Sequence, residues 1–234
     1  MYTAHLDHNG IGNPVDGDSI YNGMYDNAMG SSLLIETARA FANSPAERSM
    51  VFIALTAEER GLLGSDYYAH YPTVPSDGII ANINLDMPLF LYPVADIIAF
   101  GSEHSSLEGT VGEAIVAEGF TLTPDPMPEE VIFIRSDQYS FVKQGVPSAF
   151  LVPGFTAADA DIDGEKLWRE FLRTHYHQPS DEVEESWDYD GLVEDAVLAF
   201  QLALTVANAD QMPTWVPGDE FEAARIEALR MLEQ

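Results

Sequence analysis

Cysteine is absent from the 234 residues. Disulfides and thiolate metal sites are thereby excluded, and any bound metal must be held by His, Asp and Glu. A cysteine-free chain tolerates either redox state, so this absence leaves the compartment open. Basic residues are also scarce: 10 Lys and Arg stand against 39 Asp and Glu, a formal net charge of −29. That balance argues against nucleic acid and anionic membrane surfaces as partners. Its plain reading is a heavily solvated acidic surface, and a salty environment would screen the self-repulsion. Long apolar runs are missing too. No run reaches the length of a membrane-spanning helix, so no membrane insertion is expected. Met1 to Asp7 has neither the basic nor the apolar region of a signal peptide.

What is present suits one large α/β domain with a substantial core: the apolar share, 46%, is ordinary for a globular chain. Thr3 to Asp7 has the pattern of a short strand that turns His5 and Asp7 to the same side. Asn9 to Tyr25, rich in Gly, Asn and Asp, reads as a loop. A helix is expected from Ser31 to just before Asn43. Met50 to Leu55 is a continuous apolar run, the signature of a strand buried on both faces. Further strands are expected at Gly78 to Asp86, Asp96 to Phe100 and Ser148 to Val152. Helices are expected at Gly61 to Tyr71, Ser106 to Glu118, Gly164 to Thr174 and Tyr189 to Ala209, with a short one ending at Ser140 to Gln144. Alternation of this kind predicts a three-layer αβα architecture, a mostly parallel or mixed central sheet flanked by helices. Residues 1–212 form that domain; 213–234 read as a linker and a short amphipathic helix, Glu220 to Leu232.

Chemistry-bearing residues fall at the ends of these strands. His5 and Asp7 close the first, the Glu58-Glu59 pair follows the second, and Asp86 ends the third. In such sheets ligands bind beyond the carboxyl ends of the strands. With Asp26 as a carboxylate shared by two metal ions and His177 as a second imidazole, the set is His5, Asp26, Glu59, Asp86 and His177, with Glu58 to spare. Two imidazoles and three carboxylates are the inventory of a two-zinc hydrolase.

In matching order and with similar spacing, His5-x-Asp7, Asp26-Asn27, Glu58-Glu59, Asp86 and Tyr176-His177 resemble the M28 family of zinc aminopeptidases. Arg135-Ser136-Asp137 and Gly145-Val146-Pro147 resemble its later segments, and the likeness runs from about Tyr2 to Ala209. The resemblance implies two Zn²⁺, one held by His5 and Asp86, the other by Glu59 and His177, with Asp26 bridging. It implies a metallo-aminopeptidase acting on peptides with a free N-terminus, through a metal-bound hydroxide with Glu58 as general base. Tyr176 and Arg135 match positions that contact substrate or the developing oxyanion. Asp7 is expected to support the outer nitrogen of His5, and Asp137 to be a further supporting carboxylate. A cis Asp26-Asn27 peptide bond is also implied. The alternatives are a glutaminyl-cyclase-like acyltransferase, usually with one zinc, and a non-catalytic binding domain on the same fold.

Family members usually carry strands before the His-x-Asp strand, whereas His5 is nearly the first residue here. An open sheet edge near Tyr2 to Leu6 is therefore expected. The resemblance favours a secreted or periplasmic location, and the oligomeric state is not legible. His8, His70, His104 and His175 receive no role. The spacing Asp159-x-Asp161-x-Asp163-Gly164 with Glu170 matches a calcium loop. No helix is expected before it and Lys166 occupies a position usually apolar, so the reading preferred over Ca²⁺ is an acidic loop with Asp163 capping the next helix.

Overall fold

The computed structural model describes residues 1–88, 91–183, 185 and 189–232. Its elements are β1 (Tyr2–His5), β2 (Gly10–Val15), β3 (Asp18–Tyr21), α1 (Met29–Asn43), β4 (Phe52–Leu55), α2 (Leu63–His70), β5 (Asn82–Leu85) and β6 (Asp96–Phe100). They continue with α3 (Leu107–Ala117), β7 (Thr121–Thr123), α4 (Gln138–Val142), β8 (Ser148–Pro153), α5 (Gly164–Thr174), α6 (Tyr189–Asn208) and α7 (Glu222–Leu232). Six strands form one sheet in the order β4-β1-β5-β8-β6-β7. The first four run parallel, β6 is antiparallel to β8, and β7 is parallel to β6. The sheet is mixed and lies between helical layers.

Burial explains why the central strands form where they do. β1, β5 and β8 are buried at every position, as strands covered on both faces must be. On one face Tyr2 stacks on Phe52 and gives its hydroxyl proton to the Ala199 carbonyl in α6. Leu198 and Leu202, one turn apart on α6, are fully buried in the cluster that holds Leu33 of α1 and Val111 of α3. Each such side chain contributes about 1.5–3 kcal/mol by leaving water, so this stripe fixes α6 against the sheet.

Three expectations change. Met50 to Leu55 yields a short strand, β4, that is not buried on both faces: it lies at the sheet edge and Ala54 is exposed. The expected open edge near Tyr2 to Leu6 is therefore misplaced, because β1 pairs with β4 on one side and β5 on the other. Asn9 to Tyr25 is not a plain loop; β2 and β3 form a two-stranded hairpin. Its turn, Asp16-Gly17, has positive φ at both residues (51° and 93°), the geometry that two-residue hairpins favour.

The segment after Met212 is docked. The Trp215 indole donates to the Gly145 carbonyl at 2.9 Å, and the Val216 amide donates to the His104 carbonyl at 2.9 Å. Gly145 has φ 80°, and a Cβ there would lie 2.3 Å from the Arg225 amide of α7, so a side chain at this position would push α7 away. Of the expected tail, 233–234 lie outside the described residues.

Candidate metal centre

The parallel strands carry their terminal residues to one rim of the sheet. His5 is the last residue of β1, Asp86 directly follows the neighbouring β5, and Glu58-Glu59 come three residues after β4. His5 Nε2 lies 3.2 Å from Asp26 Oδ1 and 3.3 Å from Asp86 Oδ1. His177 Nε2 lies 3.2 Å from the other Asp26 oxygen, Oδ2, and 3.1 Å from Glu59 Oε2. The two Asp26 oxygens thus face two different groups of donors, the arrangement a bridging carboxylate requires. All five residues of the expected ligand set come together.

The backbone is strained at three of the turns that carry these residues. Ala57, just before Glu58-Glu59, has φ 59°; Met87, just after Asp86, has φ 50°; His177 itself has φ 57°. Non-glycine residues seldom occupy this region, at about 1–3 kcal/mol each, and such strain gathers at functional sites. The Asp26-Asn27 peptide bond is cis, as the resemblance implied.

Hydrogen bonds aim the ligands. His5 Nδ1 donates to the Asp7 main-chain carbonyl at 3.0 Å, which leaves Nε2 turned to Asp26 and Asp86. This corrects the expectation for Asp7. Its carboxylate is 3.9 Å from that nitrogen and instead accepts the Glu58 amide at 3.2 Å. Ser136 Oγ donates to Asp86 Oδ2 at 2.6 Å and itself accepts from Asn84. The Asn27 amide ties the Asp26 turn to the end of β5: it donates to the Leu85 carbonyl at 2.9 Å and accepts the Gly30 amide at 2.9 Å. A Cβ on Gly30 would fall 2.2 Å from Asn27 Oδ1, so only glycine allows that approach.

So many buried acids perturb one another. Burial opposes the His5 imidazolium, yet Asp86 and Asp26 outweigh it and hold the ring's pKa well above its ordinary value. Burial works the same way on His177, but Asp26 and Glu59 bring it up to about 9. Asp26, despite burial, is held well below the usual carboxylate range by His177 and His5. Glu58 goes the other way: burial first, then the Asp86 charge, push it up to about 9. Burial also lifts Asp137 to about 6, against the opposing pull of the nearby Ser65 hydroxyl. Asp137 is a buried acid near the site and holds none of the ligands through a hydrogen bond.

Glu58 and Tyr176 line a cleft beside Asp26 and Asp86, and Arg135 stands at its mouth, paired with Glu130 at 3.4 Å. Tyr176 stacks on the His177 ring with centroids 3.8 Å apart. Burial, followed by the Asp26 charge, raises its phenol so that it stays a hydrogen-bond donor. The far wall is apolar, with Ile98, Phe100, Phe150, Val152 and Trp168.

Two residues that sequence reasoning left aside belong here. His8 lies in the cluster, Nδ1 2.6 Å from Glu59 Oε1. Its signal was its place one residue after the His-x-Asp motif. Asp181 accepts the amides of Tyr25 and Asp26 and so anchors the Asp26 turn; so short a carboxylate in an acidic segment gave no signal. The acidic loop does what was preferred for it: Asp163 caps α5 by accepting the Lys166 amide at 3.1 Å. Asp159 accepts the Asp161 amide and Glu170 pairs with Arg173, so these groups face local partners.

The donor set fits a pair of borderline dications. Imidazole and carboxylate are zinc's oxygen and nitrogen ligands, and the buried atoms His8 Nδ1 and Glu59 Oε1 have no hydrogen-bond partner to satisfy them.

The description "Peptidase family M28" matches residues 1–201. The chain belongs to peptidase family M28. It is 29% identical over 169 residues to the aminopeptidase YwaD of Bacillus subtilis, a match that covers 69% of this chain and 33% of YwaD. A probable zinc metalloprotease of Pyrenophora tritici-repentis is 39% identical over 75 residues, 32% of this chain and 17% of that protein. Among solved structures, the aminopeptidase from Aneurinibacillus sp. strain AM-1 shares the fold with a TM-score of 0.61 at 21% identity, over 93% of this chain and 45% of that one. This M28 chain thus spans about a third of the length of YwaD.

Proposed function

We propose that this M28 chain carries a di-zinc aminopeptidase site that removes the N-terminal residue from peptides. The observation that carries the reading is the shared Asp26, whose two oxygens face His5 with Asp86 on one side and His177 with Glu59 on the other. Those five residues would hold the ions. Zinc supplies there a Lewis acid and a lowered pKa for water at neutral pH. The chain's own groups do the rest.

Glu58 is the proton carrier. It is half-buried in the cleft beside Asp26 and Asp86 and makes no ion pair with an imidazole among the described residues. With cations offsetting the neighbouring carboxylates, Glu58 in its ionised form would take a proton from the attacking water and return it to the departing amine. Asp7 holds its main chain in place. Tyr176, kept protonated, donates to the oxygen on which charge develops, and Arg135 at the mouth orients the peptide beyond the scissile bond. The substrate's free ammonium sits against the acidic cluster. Its first side chain lies on the apolar wall of Ile98, Phe100 and Phe150, which suits a large apolar residue.

The test is a panel of aminoacyl chromogenic substrates with and without chelator. Hydrolysis of leucyl or phenylalanyl substrates that chelator abolishes and zinc restores is the expected result. Activity indifferent to chelator, or none with any aminoacyl substrate, would overturn the reading.

A further inference from the structure

We infer that His8 is a sixth protein ligand of the centre, binding through Nδ1 the cation that Glu59 and His177 share with Asp26. The inference rests on the two-cation reading of the site and goes beyond its five-residue set. His8, Asp26 and Glu59 each offer a donor atom within 4.8 Å of the others, a group that shares only Asp26 with His5, Asp26 and Asp86. The His8 side chain is 5% exposed and that of Glu59 4%. His8 also meets the ring of His177 edge-on at 5.5 Å, which places both imidazoles on the Glu59 side of Asp26.

A hydrogen bond from His8 to Glu59 is the competing account. The distance, 2.6 Å, would allow it, but the alignment does not: neither His8 Nδ1 nor Glu59 Oε1 has a hydrogen-bond partner despite their proximity. A ring N–H bonds along its own axis. Two ligands of one ion lie close together because each points at the ion and not at the other. Such an ion would satisfy His8 Nδ1 and Glu59 Oε1 together; the other ring nitrogen, Nε2, is also buried without a hydrogen-bond partner among the described residues. The ring is also held from behind. A Cβ on Gly23 would fall 2.5 Å from His8 Cγ, so the Gly23 backbone packs flush against it.

Two measurements test this. In the full chain labelled with ¹⁵N-histidine and loaded with ¹¹³Cd²⁺, three imidazoles should show nitrogen–cadmium coupling, and one of the three should vanish in His8→Asn. Coupling at His5 and His177 alone would overturn the role of His8 and leave the metal centre standing. Coupling at no imidazole would remove the centre itself. The second measurement is zinc affinity by chelator competition. Asparagine keeps an N–H donor but is a poor ligand, so His8→Asn and His8→Ala should both weaken one of two zinc equivalents by more than about 100-fold, beyond the loss typical of a group that merely orients a ligand. Native affinity in His8→Asn, with loss only in His8→Ala, would assign His8 to a hydrogen bond with Glu59. The cadmium spectrum of the unaltered chain decides the matter even where a variant folds poorly.

Discussion

The Asp181 carboxylate receives the main-chain N–H of Asp26 at 3.1 Å through one oxygen and that of Tyr25 at 2.8 Å through the other, across 155 residues of sequence. A group distant in the chain thereby sets the direction of the side chain whose two oxygens face the two groups of donors. Asp181→Ala removes both acceptors and is expected to weaken both zinc equivalents together, by about 10–100-fold, the usual effect of a group behind a ligand. Asp181→Asn retains one acceptor oxygen and should lie between. Zinc titration against a chelator checks this; loss confined to one equivalent would contradict it.

The adjacent glutamates should fail in different ways. Glu59 contacts His177 and His8 in the cluster, so Glu59→Gln should reduce metal retention, an amide being a poorer ligand than a carboxylate. Glu58→Gln should keep both metals and the fold and lose about 10²–10⁴-fold in kcat. Zinc stoichiometry with steady-state kinetics separates the two. Zinc lost from Glu58→Gln and kept by Glu59→Gln would exchange the roles.

Asp137 makes a prediction about pH in the metal-free protein. Burial raises its pKa from an ordinary 3.8 to about 6, so between those values the folded chain binds a proton that the unfolded chain has lost. Stability from this group is therefore present below about pH 4 and falls as pH rises through 6. Asp137→Asn cannot ionise. The difference in unfolding free energy, variant minus wild type, should grow from pH 4 to pH 6 by about 2–3 kcal/mol and then level off. Urea unfolding at a series of pH values measures it, and a difference that does not change with pH would show that Asp137 ionises freely in the fold.

Much of the candidate centre was legible because several of its residues end or follow strands. A buried strand announces itself by an apolar run, so Asp86 could be placed at a strand end from sequence, and the two-residue period of Thr3 to Asp7 put His5 and Asp7 on one side of another. The same logic misjudged β4, since an apolar run does not say whether a strand is central or at an edge. The β2–β3 hairpin was hidden because both strands are largely exposed, with Ile11 and Ile20 facing solvent, and no alternation marks them; the Asp16-Gly17 pair was its one signal. Asp7 could be assigned to the site but not its bond, because whether a carboxylate or a main-chain carbonyl meets His5 depends on a turn no periodicity encodes. Asp181 and His8 act by proximity across the fold, which spacing in sequence does not carry.

The central claim is that Asp26 is shared by two cations. Its most direct measurement is the zinc content of the dialysed protein by mass spectrometry, for wild type, His177→Ala and Asp26→Ala, each shown to be folded by circular dichroism. The account predicts two zinc ions per chain in wild type, one retained in His177→Ala, and neither held tightly in Asp26→Ala. One zinc in wild type, or an Asp26→Ala chain that keeps two, would contradict it.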